Sequence, residues 1–565
     1  MDNQEIAQRF AELADLLEFK DENAFKIRAY RRVARLLKEL SEDVTDLADA
    51  GTLQDLPGVG KATAKKIVEY IKTGKITRLE EAKEGVPEGI LDVLRIQGVG
   101  PKKAAVMFEE LGIGSVDELE EAAKAHKLRE LPGMGEKSEE NVLRGIRIAR
   151  RGAERMLLSV ALDAADRVIE HLESQPGLVS RITAAGSLRR RRETIGDVDL
   201  LACGDDAAAI IEAFTGGPYA ADVLLAGDTK ASVVTEQGPQ VDLRVVDADQ
   251  FGSALQYFTG SKDHNIKLRG IAKKRGLKIS EYGLFKGESV VASKTEADVY
   301  RALGMDLIPP ELREDRGEIE AAVDGSLPEL IEPDDIRGDF HVHSDASDGR
   351  NTVAEIAEAA KARGYRFVAI TDHSRSLKIA GGLTEDRVRE QMQQIAALNK
   401  KRRGFRVLAG IEVDVKTDGS LDLPDDLLAE LDVVIAAIHS GFKQPRRTIT
   451  DRLAAAAENP HVDIIAHPTG RLIGQRDPYD VDVPELIRAC ARTSTALEIN
   501  AHPERLDLTD VYCRMARAQG VMLAIGTDAH GVDGLGLVEL GVSVARRGWL
   551  EASDVLNTQA RPNFD

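Results

Sequence analysis

Through the first 150 positions, apolar residues recur at three- and four-residue intervals, as in AQRFAELADLLEF (7–19) and AYRRVARLLKEL (29–40), and this spacing predicts amphipathic helices. Three glycine turns interrupt them: LPGVG (Gly58, Gly60), QGVG (Gly98, Gly100) and LPGMG (Gly133, Gly135). Each precedes a lysine-bearing helical run, so the segment is an internal repeat of apolar–Gly–x–Gly plus helix. The glycines permit a tight turn and a close backbone approach, and the helix start that follows offers free N–H groups to an anion such as a DNA phosphate. Turning alone would also explain any single copy.

Beyond position 150 the pattern changes. The helical run ERMLLSVALDAADRVIEHLES leads into strand-like segments, RITAAGS, DVDLLACG, SVVTEQGPQVDLRVV and GLKISEYGLFKGESVVA, which predicts a mixed α/β region to about residue 316. Residues 317–338 are acidic, contain proline and read as a linker. From Asp339 onward short apolar strands alternate with helices (FVAITDH, RVLAGIEVD, DVVIAAIHS, VDIIAHP, ALEINAH, VMLAIGTDAH), the signature of a parallel, barrel-like α/β domain.

At 565 residues several domains are expected, and 43% hydrophobic content suits a soluble globular chain. No apolar run reaches the ~18 residues of a membrane helix, and MDNQEIAQRF lacks the basic-then-apolar pattern of a signal peptide. Three scattered cysteines, Cys203, Cys490 and Cys513, form no C-x-x-C pair, so a reducing, cytoplasmic setting is expected. The net charge of −20 disfavours nucleic-acid binding in sum but not in distribution. Six basic residues and no acid lie between Lys26 and Lys38, and Arg189 to Arg192 are consecutive arginines. Either run alone is also consistent with a solvated face.

GDVDLL places Asp197 and Asp199 two apart on a predicted strand, hence on one face, and Asp242 lies on another strand. Clustered carboxylates repel unless a cation neutralises them, and two metal ions would also clamp the oxygens of a phosphoryl transfer. D-x-D alone is common on surfaces. Here AGSLRR lies just upstream, where the Gly186-Ser187 turn and Arg190 would hold a phosphate.

Gly-Ser, D-x-D and a third strand-borne Asp resemble the nucleotidyltransferases, and LQYFTGSKDHNIKLRG resembles the nucleotide pocket of family X DNA polymerases. LPGVGKATAKKI resembles that family's lyase domain, and the later glycine turns resemble its helix–hairpin–helix units. The resemblance implies that Asp197 and Asp199 bridge two Mg²⁺ or Mn²⁺ ions and that Asp242 holds the catalytic one. It implies triphosphate contacts from Gly186, Ser187 and Arg190, sugar and base contacts from Tyr257, Phe258, Lys262 and Asn265, and a template contact from Arg269. Lys66 matches the lyase nucleophile, though Lys61 and Lys65 are near and a plain DNA contact is an equal reading. Arg31 and Arg32 would bind the 5′-phosphate. Two departures stand out: Gln240 replaces an arginine beside the third Asp, and Lys262 replaces an aspartate.

Eight of the eleven histidines follow residue 339. Strand ends carrying His, Asp or Glu point to a metal cluster at the mouth of a barrel. DFHVHSDASDG, ITDHS, GIEVD, AAIHS, IAHP and GTDAH resemble the PHP (polymerase and histidinol phosphatase) metallophosphoesterases. The resemblance implies nine ligands, His341, His343, Asp348, His373, Glu412, His439, His467, Asp528 and His530, for three Zn²⁺ or Mn²⁺ ions, with Glu412 bridging. His461 reads as surface or structural; His502, Asn500 and Arg505 are placed at the pocket.

The expected architecture is a lyase-like helical domain (1–80), helix–hairpin–helix fingers (81–150), a nucleotidyltransferase palm (151–250), a thumb (251–316), a linker (317–338) and a distorted β/α barrel (339–565). The expected function is filling of short gaps during base excision repair, with 3′–5′ exonuclease activity and abasic-site endonuclease, 3′-phosphatase and deoxyribose-phosphate lyase activities. Gapped or nicked DNA and deoxynucleoside triphosphates are the expected partners of a monomeric, nucleoid-associated chain. The alternatives are a PHP nuclease whose polymerase half is an inactive DNA adaptor, and a non-enzymatic scaffold.

Overall fold

The computed structural model describes residues 3–39, 44–56, 58–87, 89–96, 99–139, 141–143, 146 and 155–559. The chain forms two compact units, Met1–Arg155 and Met156–Asp565.

The first unit is helical among the described residues. Helices Asn3–Phe19 and Ala24–Glu39 pack against each other through Phe10, Leu13, Leu17, Val33 and Leu37, all shielded from solvent. Gly60 and Gly100 are the N-terminal caps of helices Lys61–Thr73 and Pro101–Leu111, each with extended backbone. Gly58 and Gly133 adopt left-handed φ values of 88° and 74°, so the turns use glycine's freedom. Gly98 lies outside the described residues.

In the second unit the palm sheet runs in the order Arg181–Ala184, Val198–Cys203, Gln240–Val245, Lys230–Thr235, Ala220–Ala226. Its middle pair, Val198–Cys203 and Gln240–Val245, is parallel, and its other neighbours are antiparallel. Val241, Leu243 and Val245 face the core, which leaves Gln240, Asp242 and Arg244 on the opposite, half-buried face. Helix Leu158–Glu173 covers the core side with Leu158, Ala161, Ala165, Val168 and Leu172 at helical spacing. The thumb follows: helices Phe251–Thr259 and Lys262–Lys274, then a three-stranded antiparallel meander, Lys278–Ser280, Gly283–Lys286 and Ser289–Ala292.

The stretch expected to be a linker is folded. Glu318–Asp324 is a helix, with Ile319 and Ala322 buried in the thumb core beside Trp549. Ile331 and Ile336 enter the barrel core, and the Ile331 N–H donates to the Leu550 carbonyl. The acidic composition concealed these apolar positions. Its innermost carboxylate, Glu318, accepts the backbone N–H groups of Asp315 and Arg316 and pairs with the His264 ring.

The C-terminal domain has seven parallel strands in chain order: Gly338–Asp339, Phe367–Ile370, Arg406–Asp414, Val433–Ala437, Ile464–Ile465, Ala496–Asn500 and Leu523–Gly526. A parallel bridge between Val342 and Ala529 joins the continuations of the first and last strands and nearly closes the barrel. Buried on both faces, the strands read as continuous apolar runs rather than alternating ones. No helix among the described residues is long and apolar enough to cross a membrane.

Candidate active sites

Asp199 and Asp242 sit at the same register of the palm's parallel pair, and Asp197 lies just ahead of the strand Val198–Cys203, close to both. One carboxylate oxygen from each of the three lies within 4.8 Å of the others. Burial and the charges of Asp197 and Asp242 push the Asp199 carboxyl up to about 7. A carboxylate held in that field is a cation ligand in want of a cation, so the donor set fits hard divalent ions. Gln240, the departure noted in the sequence, donates its amide to Asp242 Oδ1 at 3.0 Å, and the Ser232 hydroxyl donates to the same oxygen. Both partners fix Asp242 without drawing on Oδ2. Ser232 escaped the sequence reading because its neighbour lies across the sheet; only its place on an alternating strand hinted at it.

Gly186 has φ +57°, and a Cβ there would lie 2.0 Å from Asp199 Oδ2, so glycine lets the turn close over the aspartate. Ser187 is half-buried in the short helix Gly186–Arg189. Arg190 is held by Glu314 at 3.2 Å and by the Thr259 carbonyl, while Arg189 is paired with Glu296 at 2.6 Å. Tyr257 and Phe258 meet edge-to-face at 5.2 Å, and Arg244 stacks on Phe258 at 4.6 Å. The amide of Asn265 is engaged within the protein: it donates to the Tyr257 carbonyl at 2.8 Å and accepts from Gln256 at 2.7 Å. Lys262 and Arg269 are exposed on helix Lys262–Lys274.

In the N-terminal unit, Lys66 is half-buried on helix Lys61–Thr73, with its ammonium 5.8 Å from the centre of the Tyr30 ring. Arg31 is exposed but paired with Asp15 and Glu18, and Arg32 packs its aliphatic stem against Gly58.

At the barrel mouth all nine residues singled out in the sequence converge. Glu412 is the hub. Its Oε1 lies 2.9 Å from His467 Nε2 and 3.3 Å from His439 Nε2, and its Oε2 lies 2.6 Å from His373 Nδ1. His341 and His343 approach Asp528 Oδ1 at 3.6 and 3.2 Å. Asp348 faces His373 at 3.5 Å and His530 at 3.3 Å. His467 and Asp528 have left-handed backbone, an uncommon conformation that turns them into the mouth.

Burial opposes protonation of His373 and His439, yet Glu412 outweighs it and pushes them up to about 10 and 9. Burial and Arg505 push His467 down to about 3, so that ring is neutral. The buried Nδ1 atoms of His343, His439 and His467 make no hydrogen bond. Converging imidazoles and carboxylates with unbonded ring nitrogens are a donor set for several transition-metal ions.

Six of the barrel's seven strands were credited with such residues in the sequence; the sixth, Ala496–Asn500, supplies Glu498. It is buried, lies 2.6 Å from His341 Nδ1, and accepts the His467 N–H and the Asn500 amide. An isolated Glu between apolar strand residues, as in Gly-Ile-Glu412-Val, was the available signal. Asn500 and Arg505 both reach Asp528 Oδ2, at 3.2 Å each. His502 is half-buried beside Asn500, and His461 lies in a turn, its N–H bonded to Asn459.

Residues 1–76 match a helix-hairpin-helix domain family, 90–147 a SAM-like helix-hairpin-helix tandem, 254–314 the DNA polymerase beta thumb and 339–502 the PHP domain. The chain is 44% identical over 564 residues to the DNA polymerase/3′-5′ exonuclease PolX of Bacillus subtilis (strain 168), covering 99% of this chain and 98% of the relative. The chain belongs to the family X DNA polymerases that carry a PHP domain. Over 231 residues it is also 29% identical to a probable phosphatase of Thermoanaerobacter sp. (strain X514), covering 39% of this chain and 89% of the relative. A probable phosphatase of Acetivibrio thermocellus is 29% identical over 201 residues, 34% of this chain and 78% of the relative. Family membership accounts for two candidate metal-binding clusters on one chain: an aspartate cluster in the palm and a histidine-rich one at the barrel mouth.

Proposed function

We propose that this chain fills short gaps in DNA during base excision repair and trims 3′ ends with its barrel site. The observation that carries the first half is the Asp199–Asp242 register, with Gln240 and Ser232 both committed to one oxygen of Asp242. Two Mg²⁺ or Mn²⁺ ions at Asp197, Asp199 and Asp242 would favour ionisation of the primer 3′-hydroxyl and offset charge on the departing pyrophosphate. The protein's part is to orient. Asp242 presents one oxygen at a fixed angle, Gly186 and Ser187 form the turn for the triphosphate, and Arg190 supplies it with charge. Tyr257 and Phe258 would pack against the incoming sugar, and Asn265 and Lys262 would contact its base.

For the barrel we propose 3′–5′ hydrolysis of phosphodiesters, the activity in the name of the Bacillus subtilis relative. Three Zn²⁺ or Mn²⁺ ions held by the nine residues would supply Lewis acidity and activated water. Glu412, whose two oxygens serve different rings, is suited to bridge two of them. Arg505 would hold the substrate phosphate. Abasic-site and 3′-phosphate processing belong to the same chemistry, and the glycine turns with Arg32 and Arg269 would track the DNA backbone. Lys66 would serve as a Schiff-base nucleophile on an abasic sugar.

The test is a one-nucleotide gapped duplex with Mg²⁺ or Mn²⁺. Asp242→Ala should abolish filling and keep 3′ degradation; His341→Ala should do the reverse. Gap filling that survives Asp242→Ala sinks the proposal.

A further inference from the structure

Glu314, at the C-terminal end of the thumb, accepts from Arg190 and from Arg547, each at 3.2 Å, and Arg192 lies 3.8 Å away. Arg547 ends helix Val538–Arg547 of the barrel domain and is almost wholly buried. Its other contacts are the Arg190 carbonyl at 2.7 Å and Asp510 at 2.6 Å, and Asp510 also pairs with Arg316 at 2.9 Å. The cluster therefore joins palm, thumb and barrel domain. It holds four arginines (Arg190, Arg192, Arg316, Arg547) against two carboxylates (Glu314, Asp510), leaving two positive charges in excess. Burial opposes ionisation of Glu314, but Arg547, Arg190 and Arg192 outweigh it and hold its carboxyl at about 2, so the charges are real at neutral pH.

We propose that Arg547 of the barrel domain is a positioning residue for nucleotide binding in the palm, acting through Glu314 on Arg190. The proposal rests on the reading of Arg190 as a triphosphate ligand. Arg190 cannot give its full charge to a triphosphate while Glu314 claims it. Arg547 offers Glu314 a second partner, which lowers the cost of releasing Arg190, and it fixes the Arg190 backbone through the carbonyl. Glu314 is then a competitor of the nucleotide, and the barrel domain sets how strongly it competes. This gives the fusion of the two enzymes on one chain a consequence at the polymerase site without any transfer of DNA between sites. Removing one partner from a buried charge pair strands the other, so the effect should be measurable.

The experiment measures KM for the incoming deoxynucleotide and kcat on a one-nucleotide gap for the full-length chain and four variants. Arg547→Gln should raise KM about tenfold with kcat changed less than about threefold, because Glu314, left with the more distant Arg192 as its other cation, then bears more strongly on Arg190. Glu314→Gln should lower KM severalfold. In Glu314→Gln/Arg547→Gln the Arg547 change should no longer raise KM, a cancellation that general loosening of the interface would not produce. Arg190→Ala is the control on the underlying reading. If it leaves KM unchanged, Arg190 is no triphosphate ligand and that reading fails first. If Arg190→Ala raises KM while Glu314→Gln leaves it unchanged or raises it, the coupling is overturned and the ligand reading stands. Glu314→Gln keeps the Arg547–Asp510 pair, so it remains decisive if Arg547→Gln does not fold. Equal Arg547→Gln effects in both backgrounds would also overturn the proposal.

Discussion

Asp199 and Asp242 are direct neighbours across the palm's parallel strand pair, so two carboxylates share one face of the sheet, and the hydrogen bonds to Asp242 come from neutral groups, Ser232 and Gln240. The arrangement stores repulsion that a divalent cation relieves. Because the Asp199 carboxyl is raised from 3.8 to about 7, the folded chain binds its proton more tightly than the unfolded chain does. Without metal, stability should therefore fall as pH rises from about 4 to about 7 and stay reduced above. Asp199→Asn should stabilise the metal-free chain at pH 8, on the order of 1–2 kcal/mol after solvent screening, and change little at pH 4.5. Thermal melting at both pH values, with and without Mg²⁺, checks this. Equal effects at the two pH values would refute it.

Ser232 and Gln240 both donate to Asp242 Oδ1. Hydrogen bonds to a charged acceptor contribute roughly 1.5–3 kcal/mol each, here to the orientation of a side chain rather than to the fold. Ser232→Ala/Gln240→Leu should slow gap filling about tenfold and raise the half-saturating Mn²⁺ concentration, with hydrolysis at the barrel unchanged. A double variant with the metal titration of the parent would show that Asp242 needs no such support.

The sequence made the barrel-mouth residues legible because each sits at or just beyond the end of a short apolar strand, and a parallel barrel gathers strand ends. The palm aspartates were legible for a related reason: D-x-D on a strand fixes a face. What stayed hidden depends on partners far along the chain. Arg547 carries no local mark, and Ser232 and Glu498 carry only the faint one of a polar residue on an apolar strand; their roles come from Glu314, Asp242 and His341 across a domain boundary, a sheet and a barrel. Gln240 read as a departure, and the structure gives it a donor's part. Residues 317–338 have the composition of a linker, but the apolar positions Ile319, Ala322, Ile331 and Ile336, which carry no such compositional signal, anchor them in two cores.

Glu498 lies beneath His341 and fixes which ring nitrogen faces the cluster. A carboxylate behind a ligating imidazole orients the ring and raises its basicity, and its loss typically costs 10–100-fold in metal affinity. Glu498→Gln should lower the zinc or manganese retained after dialysis, read by elemental analysis, and reduce 3′ degradation in parallel. Gap filling should be untouched. Full metal retention with lost hydrolysis would instead place Glu498 in substrate handling.

Glu318 tests the folded strap. It is fully buried, lies 2.6 Å from His264 Nδ1 and accepts two backbone N–H groups, while His264 Nε2 lies 2.8 Å from the Tyr300 hydroxyl. Burial pushes the His264 ring down and outweighs the pull of Glu318, so the ring is neutral at pH 7 and the contact is a hydrogen bond to a charge. Burial would raise the Glu318 carboxyl, but the His264 contact and the backbone N–H groups hold it below its ordinary range. Its stabilising effect is therefore present above about pH 4.5 and is lost as pH falls through the depressed value. Glu318→Ala strands two backbone donors and the ring nitrogen, at a cost of about 3 kcal/mol at pH 7. Glu318→Gln keeps an acceptor and should cost less than half as much. Denaturant melts at pH 7 measure both; equal destabilisation by the two variants would mean that packing of the helix, and not this hydrogen-bond set, holds the strap against the thumb.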